Sequence, residues 1–179
     1  MVCTANICRS PMAEALLSRC LAELDCPATV RSGGILTEGE PACPEAVTAM
    51  AGYGLDIAEH RSHRLTASDL LRADLTLAMA RENLRAAVVE APAVWPRAFT
   101  LRELVRRGAA AGRRSAGQTL ADWLAGAHQG RQRSALLGDS PGDDVPDPIG
   151  GPQRWYDQTA QTLSDLVGQL VGLCWAGAR

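Results

Sequence analysis

The sequence predicts an α/β fold in one domain, a sandwich of helices around a parallel sheet, and three observations predict it. Short segments of strand length, at residues 28–32 and in the apolar run 75–79, alternate with longer segments whose apolar residues recur at helical spacing. Helix start and stop signals punctuate those segments where the periodicity changes. The chain has 179 residues, 46% of them hydrophobic and 21% charged, the size and balance of one compact domain with a real core.

The elements follow in order. Only Met1 and Val2 precede Cys3, so a first strand, if present, is expected to be truncated. Ser10 is placed to cap a helix with Pro11 at its first position, and Met12, Leu16, Leu17, Cys20, Leu21 and Leu24 carry its apolar face. Residues 28–32 read as a strand closed by Gly33-Gly34, and 44–53 as a helix stopped by Gly54. Thr66 with Asp69 resembles a capping box opening a short helix. Residues 75–79 read as a strand and 82–90 as a helix; Pro92 and Pro96 then break the chain before a short helix over 101–107. Residues 108–146 shift to Gly, Ala, Ser, Arg and Asp, and are expected to be a mobile insertion holding one helix marked by Leu120, Trp123, Leu124 and Ala127. A long final helix is expected over 152–173.

Net charge is −2, and all 18 basic residues are Arg. Near-neutrality argues against electrostatic capture of nucleic acid or an anionic membrane. The lack of lysine excludes Schiff-base and P-loop lysine chemistry. The cysteines stand at 3, 8, 20, 26, 43 and 174, with no C-x-x-C pair and no nearby histidine cluster, so no metal or other cofactor is expected. The opening residues show no basic n-region or apolar h-region, and no stretch reaches a membrane span. The expectation is a cytoplasmic protein with mostly reduced thiols.

The chemistry is concentrated in the first ten residues. Cys3 and Arg9 are separated by five residues and followed by Ser10 at a helix start. Amide groups of a short loop entering a helix point inward as an anion nest, with the positive end of the helix dipole behind them. A thiol at the base of such a nest ionises readily. A guanidinium beside it holds two phosphate oxygens in a planar fork. Nucleophile, cradle and clamp together describe attack on phosphorus through a covalent Cys-phosphate.

The run Cys3-Thr4-Ala5-Asn6-Ile7-Cys8-Arg9-Ser10-Pro11-Met12-Ala13-Glu14-Ala15 resembles the phosphate loop of the low-molecular-weight protein tyrosine phosphatases. The resemblance continues at Arg31-Ser32-Gly33-Gly34, Gly54-Leu55-Asp56-Ile57, His60-Arg61, Leu65, residues 77–84 and Asp147-Pro148. It implies a three-layer α/β/α sandwich with a four-stranded parallel sheet, its phosphate loop at the first strand–helix junction. It implies Cys3 as nucleophile, Arg9 as transition-state clamp, and Ser10 donating to the Cys3 sulfur. Thr4, Ala5, Asn6, Ile7 and Cys8 complete the loop, Asn6 holding its backbone, with Ser32 and His60 bracing Asn6. Asp147, held extended by Pro148, is the candidate general acid and base. Asp139, Asp143 and Asp144 read instead as a solvated charge run.

Two departures from the pattern bear on the site. Ala5 stands where glycine is frequent, which is harmless only at negative φ. Ile149 stands where an aromatic residue usually flanks the phosphotyrosine ring. The implied partner is a phosphorylated protein, with a bacterial tyrosine kinase as counterpart, and phosphate or sulfate would occupy the loop. The alternatives are a protein-arginine phosphatase of the same fold, suggested by Asp147-Pro148-Ile149-Gly150-Gly151, an arsenate reductase, and a non-catalytic anion-binding module. Ile7 favours the tyrosine class over the arginine class, whose members typically carry Thr there. Arsenate reduction needs two further cysteines on a mobile segment, and none lies between Cys43 and Cys174. Cys8, across a tight arc from Cys3, has two readings: a thiol that traps oxidised Cys3 as a disulfide, or a small buried residue supporting the loop.

Overall fold

The computed structural model describes residues 1–138 and 140–176. Four short parallel strands, β1 (Val2–Cys3), β2 (Gly33–Gly34), β3 (Thr76–Ala78) and β4 (Ala98–Thr100), form one sheet in the order β2-β1-β3-β4. Val2 pairs with Gly33 on one side and Ala78 on the other, and Leu77 pairs with Phe99. Side chains alternate across the pleat. Val2, Ala78 and Ala98 face a core shared with Leu84, Val88, Val94 and Trp95; Cys3, Leu77 and Phe99 face the larger core.

The helices are α1 (Arg9–Glu23), α2 (Pro44–Ala51), α3 (Ala67–Arg72), α4 (Arg81–Glu90), α5 (Leu101–Ala111), α6 (Leu120–His128) and α7 (Gln153–Cys174). Helices α3 and α4 cover the first face; α1, α2, α5 and α7 pack on the second, α7 touching each of the other three. This is the expected three-layer α/β/α sandwich. Thr66 and Asp69 form the capping box at α3.

Three elements differ from the sequence expectation. The strand read at 28–32 lies instead at Gly33–Gly34, the glycines thought to close it. Tertiary pairing with β1 overrides the poor strand propensity of glycine here. At Gly34 a Cβ would sit 2.9 Å from the Ala5 carbonyl carbon and 3.0 Å from the Asn6 nitrogen, so glycine is what lets this strand lie against the first loop. The fourth strand, β4, follows a 3-10 turn at Pro92–Arg97 and is three residues long, too short for a periodicity signal. Helix α1 begins at Arg9 with Cys8 as N-cap, two residues before the expected Ser10 cap, and the Ser10 hydroxyl is engaged with the Cys3 sulfur.

Residues 108–146, expected from composition to be mobile, hold α6 and 3-10 turns at Arg133–Leu136 and Pro141–Asp143. Trp123, Leu124, Ala127, Leu136 and Val145 are buried. Arg131 reaches back to the sheet: its guanidinium lies 3.8 Å from the Trp95 ring centroid and 3.9 Å from that of Phe99. It pairs with Glu103 at 2.8 Å and donates to the carbonyls of Trp95 and Ala98. The contacts of Arg131 are ionic, cation–π and to main-chain carbonyls, which is why composition did not announce them.

Candidate active site

Strand β1 ends at Cys3 and helix α1 begins at Arg9, so residues 3–9 must turn back within five intervening residues, at the C-terminal edge of the central strand. The turn is made at Asn6, whose φ of 55° lies in the left-handed region. Asparagine tolerates that conformation better than most residues. Ala5 is not among the positive-φ residues, so its methyl group adds no strain there.

Asn6 is buried and tied from four directions. Its Nδ2 donates to Ser10 Oγ and to Ser32 Oγ, both at 2.8 Å. Its Oδ1 accepts from the His63 amide at 2.9 Å, and its carbonyl lies 2.7 Å from His60 Nε2. Ser32 in turn donates to Glu14. The structure thus brings Ser32 and His60 to Asn6 as expected. It adds His63, through its backbone rather than its ring, and Glu14, which sits within the quoted motif but carried no separate signal.

The Cys3 sulfur lies 2.9 Å from Ser10 Oγ and accepts from the Asn6 amide at 3.2 Å. Thr4 Oγ1 accepts from Asn83 Nδ2 at 3.1 Å, and Thr37 donates to the Ala5 carbonyl, which ties the loop to α4 and to the segment after β2. Arg9 is buried, donates through Nη1 to the Val145 carbonyl at 3.2 Å, and forms an ion pair through Nη2 with Asp147. Asp147 is therefore brought across 138 residues of sequence to the mouth of the loop. Its other oxygen accepts from the Ile149 amide at 3.2 Å. Ile149 itself is exposed beside it.

The neighbouring acids part company with the solvated reading. Asp143 is buried, pairing with Arg81 at 2.5 Å and Arg106 at 2.8 Å, and these guanidinium partners hold its carboxyl below the usual range against the opposing effect of burial. Asp144 accepts from the Arg81 amide at 2.7 Å, at the start of α4. Both fasten the segment that leads to Val145 and Asp147. Asp139 lies outside the described residues.

Cys8 and Cys43 are joined as a disulfide with their Cα atoms 6.0 Å apart, while Cys3 is free. Cys8 is thus paired with Cys43 and not with Cys3 in this structure, and Cys3, Cys20, Cys26 and Cys174 are thiols. Cys43 caps α2, and its amide donates to the Ile7 carbonyl at 2.9 Å, so the start of α2 lies directly under the loop. Sequence spacing carried no sign of that contact.

His63 hydrogen-bonds Asp69 at 3.0 Å, and that bond raises its pKa above 6.5, with the Glu38 carboxylate adding to the effect. A group whose folded-state pKa is raised contributes stability that is present in full below its unfolded pKa, about 6.5, and is lost as pH rises through the folded value. Wild type is expected to melt above His63→Gln in mildly acidic buffer, and the two melting curves should converge in alkaline buffer. A gap that widened with pH would contradict the pairing.

Among the described residues no group of three or more His, Cys, Asp or Glu could hold a metal, and no helix is long and apolar enough to cross a membrane. What the arrangement can do is hold a tetrahedral anion between loop amides and the Arg9 fork, with a thiol below it and a carboxyl at its mouth. Residues 1–113 match the family described as low molecular weight phosphotyrosine protein phosphatase. A probable low molecular weight protein-tyrosine-phosphatase, EpsP, of Ralstonia solanacearum is 44% identical over 105 residues, 58% of this chain and 70% of that protein. A protein-arginine-phosphatase of Bacillus subtilis is 31% identical over 171 residues, 95% of this chain and 91% of that protein. The crystal structure of a low molecular weight protein tyrosine phosphatase from T. tengcongensis superposes with a TM-score of 0.72 at 34% identity, covering 96% of this chain and 95% of that one.

Proposed function

We infer the reaction from this premise: the chain belongs to the low molecular weight phosphotyrosine protein phosphatase family. It is a phosphoric monoester hydrolase acting on phosphotyrosine in proteins. The observation that carries the reading is the convergence of Cys3, Ser10, Arg9 and Asp147 on one loop mouth.

Each residue has a task. The Cys3 thiolate attacks phosphorus, with the Ser10 hydroxyl and the Asn6 amide stabilising negative charge on sulfur before attack and after cleavage. Amides of Thr4, Ala5, Asn6, Ile7 and Cys8 and the Arg9 fork take the equatorial oxygens of the transferring group. Asp147 leaves Arg9 as the phosphate arrives, takes up a proton from solvent, gives it to the phenolic oxygen, and then takes a proton from the water that cleaves Cys3-phosphate. Ser32, His60 and Glu14 act at one remove, by holding Asn6 in its left-handed conformation.

A phosphorylated protein substrate requires a kinase that supplies it. Under this reading that is a bacterial tyrosine kinase, working in the cytoplasm where it finds ATP. Ile7 in the loop supports phosphotyrosine over phosphoarginine, while the similarity to an arginine phosphatase makes phosphoarginine the competitor to measure. The test is turnover of matched phosphotyrosine, phosphoarginine and phosphoserine peptides; phosphotyrosine should be fastest, and a lead for phosphoarginine would overturn the substrate assignment. Asp147→Asn should slow hydrolysis of phosphotyrosine by roughly 10²- to 10³-fold, and slow an aryl phosphate with an acidic leaving group much less. Equal losses on both substrates would remove Asp147 from the role of acid.

A further inference from the structure

The Cys8–Cys43 disulfide poses a chemical question, because Cys3, the thiol at the base of the loop, stays outside it although Cys8 lies in the same loop. Cys8 is buried in the same loop as Cys3, while Cys43 is partly exposed at the start of α2. Of the thiols away from the loop, burial pushes Cys174 up to about 12 and raises Cys20 as well. Three sulfurs therefore stand in a series running from the anion site outward, Cys3, Cys8 and Cys43, and the bond is found at the outer end.

We propose that Cys3, Cys8 and Cys43 form a thiol relay that reduces a hydroperoxide at the phosphate loop and exports the resulting disulfide to Cys43, leaving Cys3 ready for phosphate chemistry. The proposal rests on the reading of Cys3 as the reactive thiol of the site. In the first step the Cys3 thiolate attacks the peroxide, the O–O bond breaks, an alcohol or water departs with a proton, and Cys3 becomes a sulfenic acid. In the second, the Cys8 sulfur attacks Cys3, the S–O bond breaks, hydroxide leaves as water, and a Cys3–Cys8 disulfide forms. In the third, the Cys43 thiolate attacks Cys8, the Cys3–Cys8 bond breaks, and Cys3 departs as a thiolate. In sum, one hydroperoxide and two thiols give one alcohol, one water and the Cys8–Cys43 disulfide. Electrons come from Cys8 and Cys43, and their two protons end in the products.

The geometry favours the third step. Cys43 is already held against the loop by the hydrogen bond its amide donates to the Ile7 carbonyl, so its sulfur meets Cys8 without rearrangement of α2. Once Cys8 is bonded to Cys43, the Cys3 sulfur keeps its contacts with Ser10 and Asn6, as it does in this structure. The exported bond lies where a solvent dithiol can reach Cys43, whereas a Cys3–Cys8 bond would be buried on both sides.

The test starts from fully reduced protein freed of reductant, treated with one equivalent of hydrogen peroxide. Phosphatase activity is followed, and disulfides are mapped by proteolysis and mass spectrometry. Wild type should lose activity, regain most of it without added thiol, and end with Cys8 joined to Cys43. Cys43→Ser and Cys43→Ala, which should match wild type in activity before oxidation, should stay inactive as Cys3–Cys8 until a dithiol is added. In Cys3→Ser the Cys8–Cys43 bond should form at least ~10-fold more slowly, since the attacking thiolate is gone. Formation as fast in Cys3→Ser as in wild type would overturn the relay, as would wild type ending at Cys3–Cys8 with Cys43 free to alkylate. These arms decide even if the Cys43 variants fold poorly. Full phosphatase activity in Cys3→Ser would instead overturn the assignment of the nucleophile.

Discussion

Cys3→Ser should lower kcat on an aryl phosphate by roughly 10⁴-fold or more while leaving inorganic phosphate inhibition of ligand binding within a few-fold of wild type. The two halves have separate causes. A serine hydroxyl is a much weaker acid than a thiol, so the contacts from Ser10 and the Asn6 amide that suit a thiolate do not generate an alkoxide. The proposed anion cradle, by contrast, consists of backbone amides and Arg9, which the substitution does not touch. Asn6 keeps its ties to Ser10, Ser32, His60 and His63, so the loop conformation should persist. Steady-state kinetics and phosphate titration on the same preparation check both halves. Wild-type turnover in Cys3→Ser would refute the covalent route, and loss of phosphate binding would show that the thiol also holds the loop together.

Arg131→Ala should destabilise the fold by about 3–5 kcal/mol, the cost typical of removing one partner from a buried ion pair. The side chain is almost wholly buried, sandwiched between Trp95 and Phe99 and bonded to Glu103 and two main-chain carbonyls. Its loss leaves Glu103 short of its closest partner; Arg107, at 3.2 Å, remains beside it. Chemical denaturation would measure the loss. Pairing Arg131→Met with Glu103→Leu should recover much of it, because an apolar pair needs no desolvation of charge. A change below about 1 kcal/mol in Arg131→Ala would show that residues 120–136 are not fastened to β4 and α5 as described.

The half of the proposed site near the chain start was legible because it is local. A cysteine, an arginine five residues further on and a helix start together describe an anion nest within a single turn, and that geometry needs little else from the fold. The long helices were legible for a related reason: α1 and α7 bury continuous faces at helical spacing, and α3 carries its own cap. Strands of two or three residues have no such signature. β2 consists of two glycines that pair because β1 lies beside them, and β4 was invisible between a proline-rich turn and α5.

The charged network around Asp143 and Arg131 was misread for a different reason. Composition treats Arg and Asp as solvated, whereas here each is buried only because an opposite charge arrives from a distant segment. Asp147 was singled out by its proline and by resemblance, yet its contact with Arg9 exists only after the chain has returned to the loop. The same holds for the Cys43 sulfur, placed against Cys8 by the packing of α2 under the loop. By itself, then, the sequence determined the layered class of the fold, its long helices and the tight loop from Cys3 to Arg9 at a helix start, since these follow from short-range periodicity, capping and backbone turn chemistry. Only the tertiary structure decided which glycines would pair as a strand, which acids would be buried, and which cysteine would meet Cys8, because each of those depends on a partner that the chain brings close only by folding.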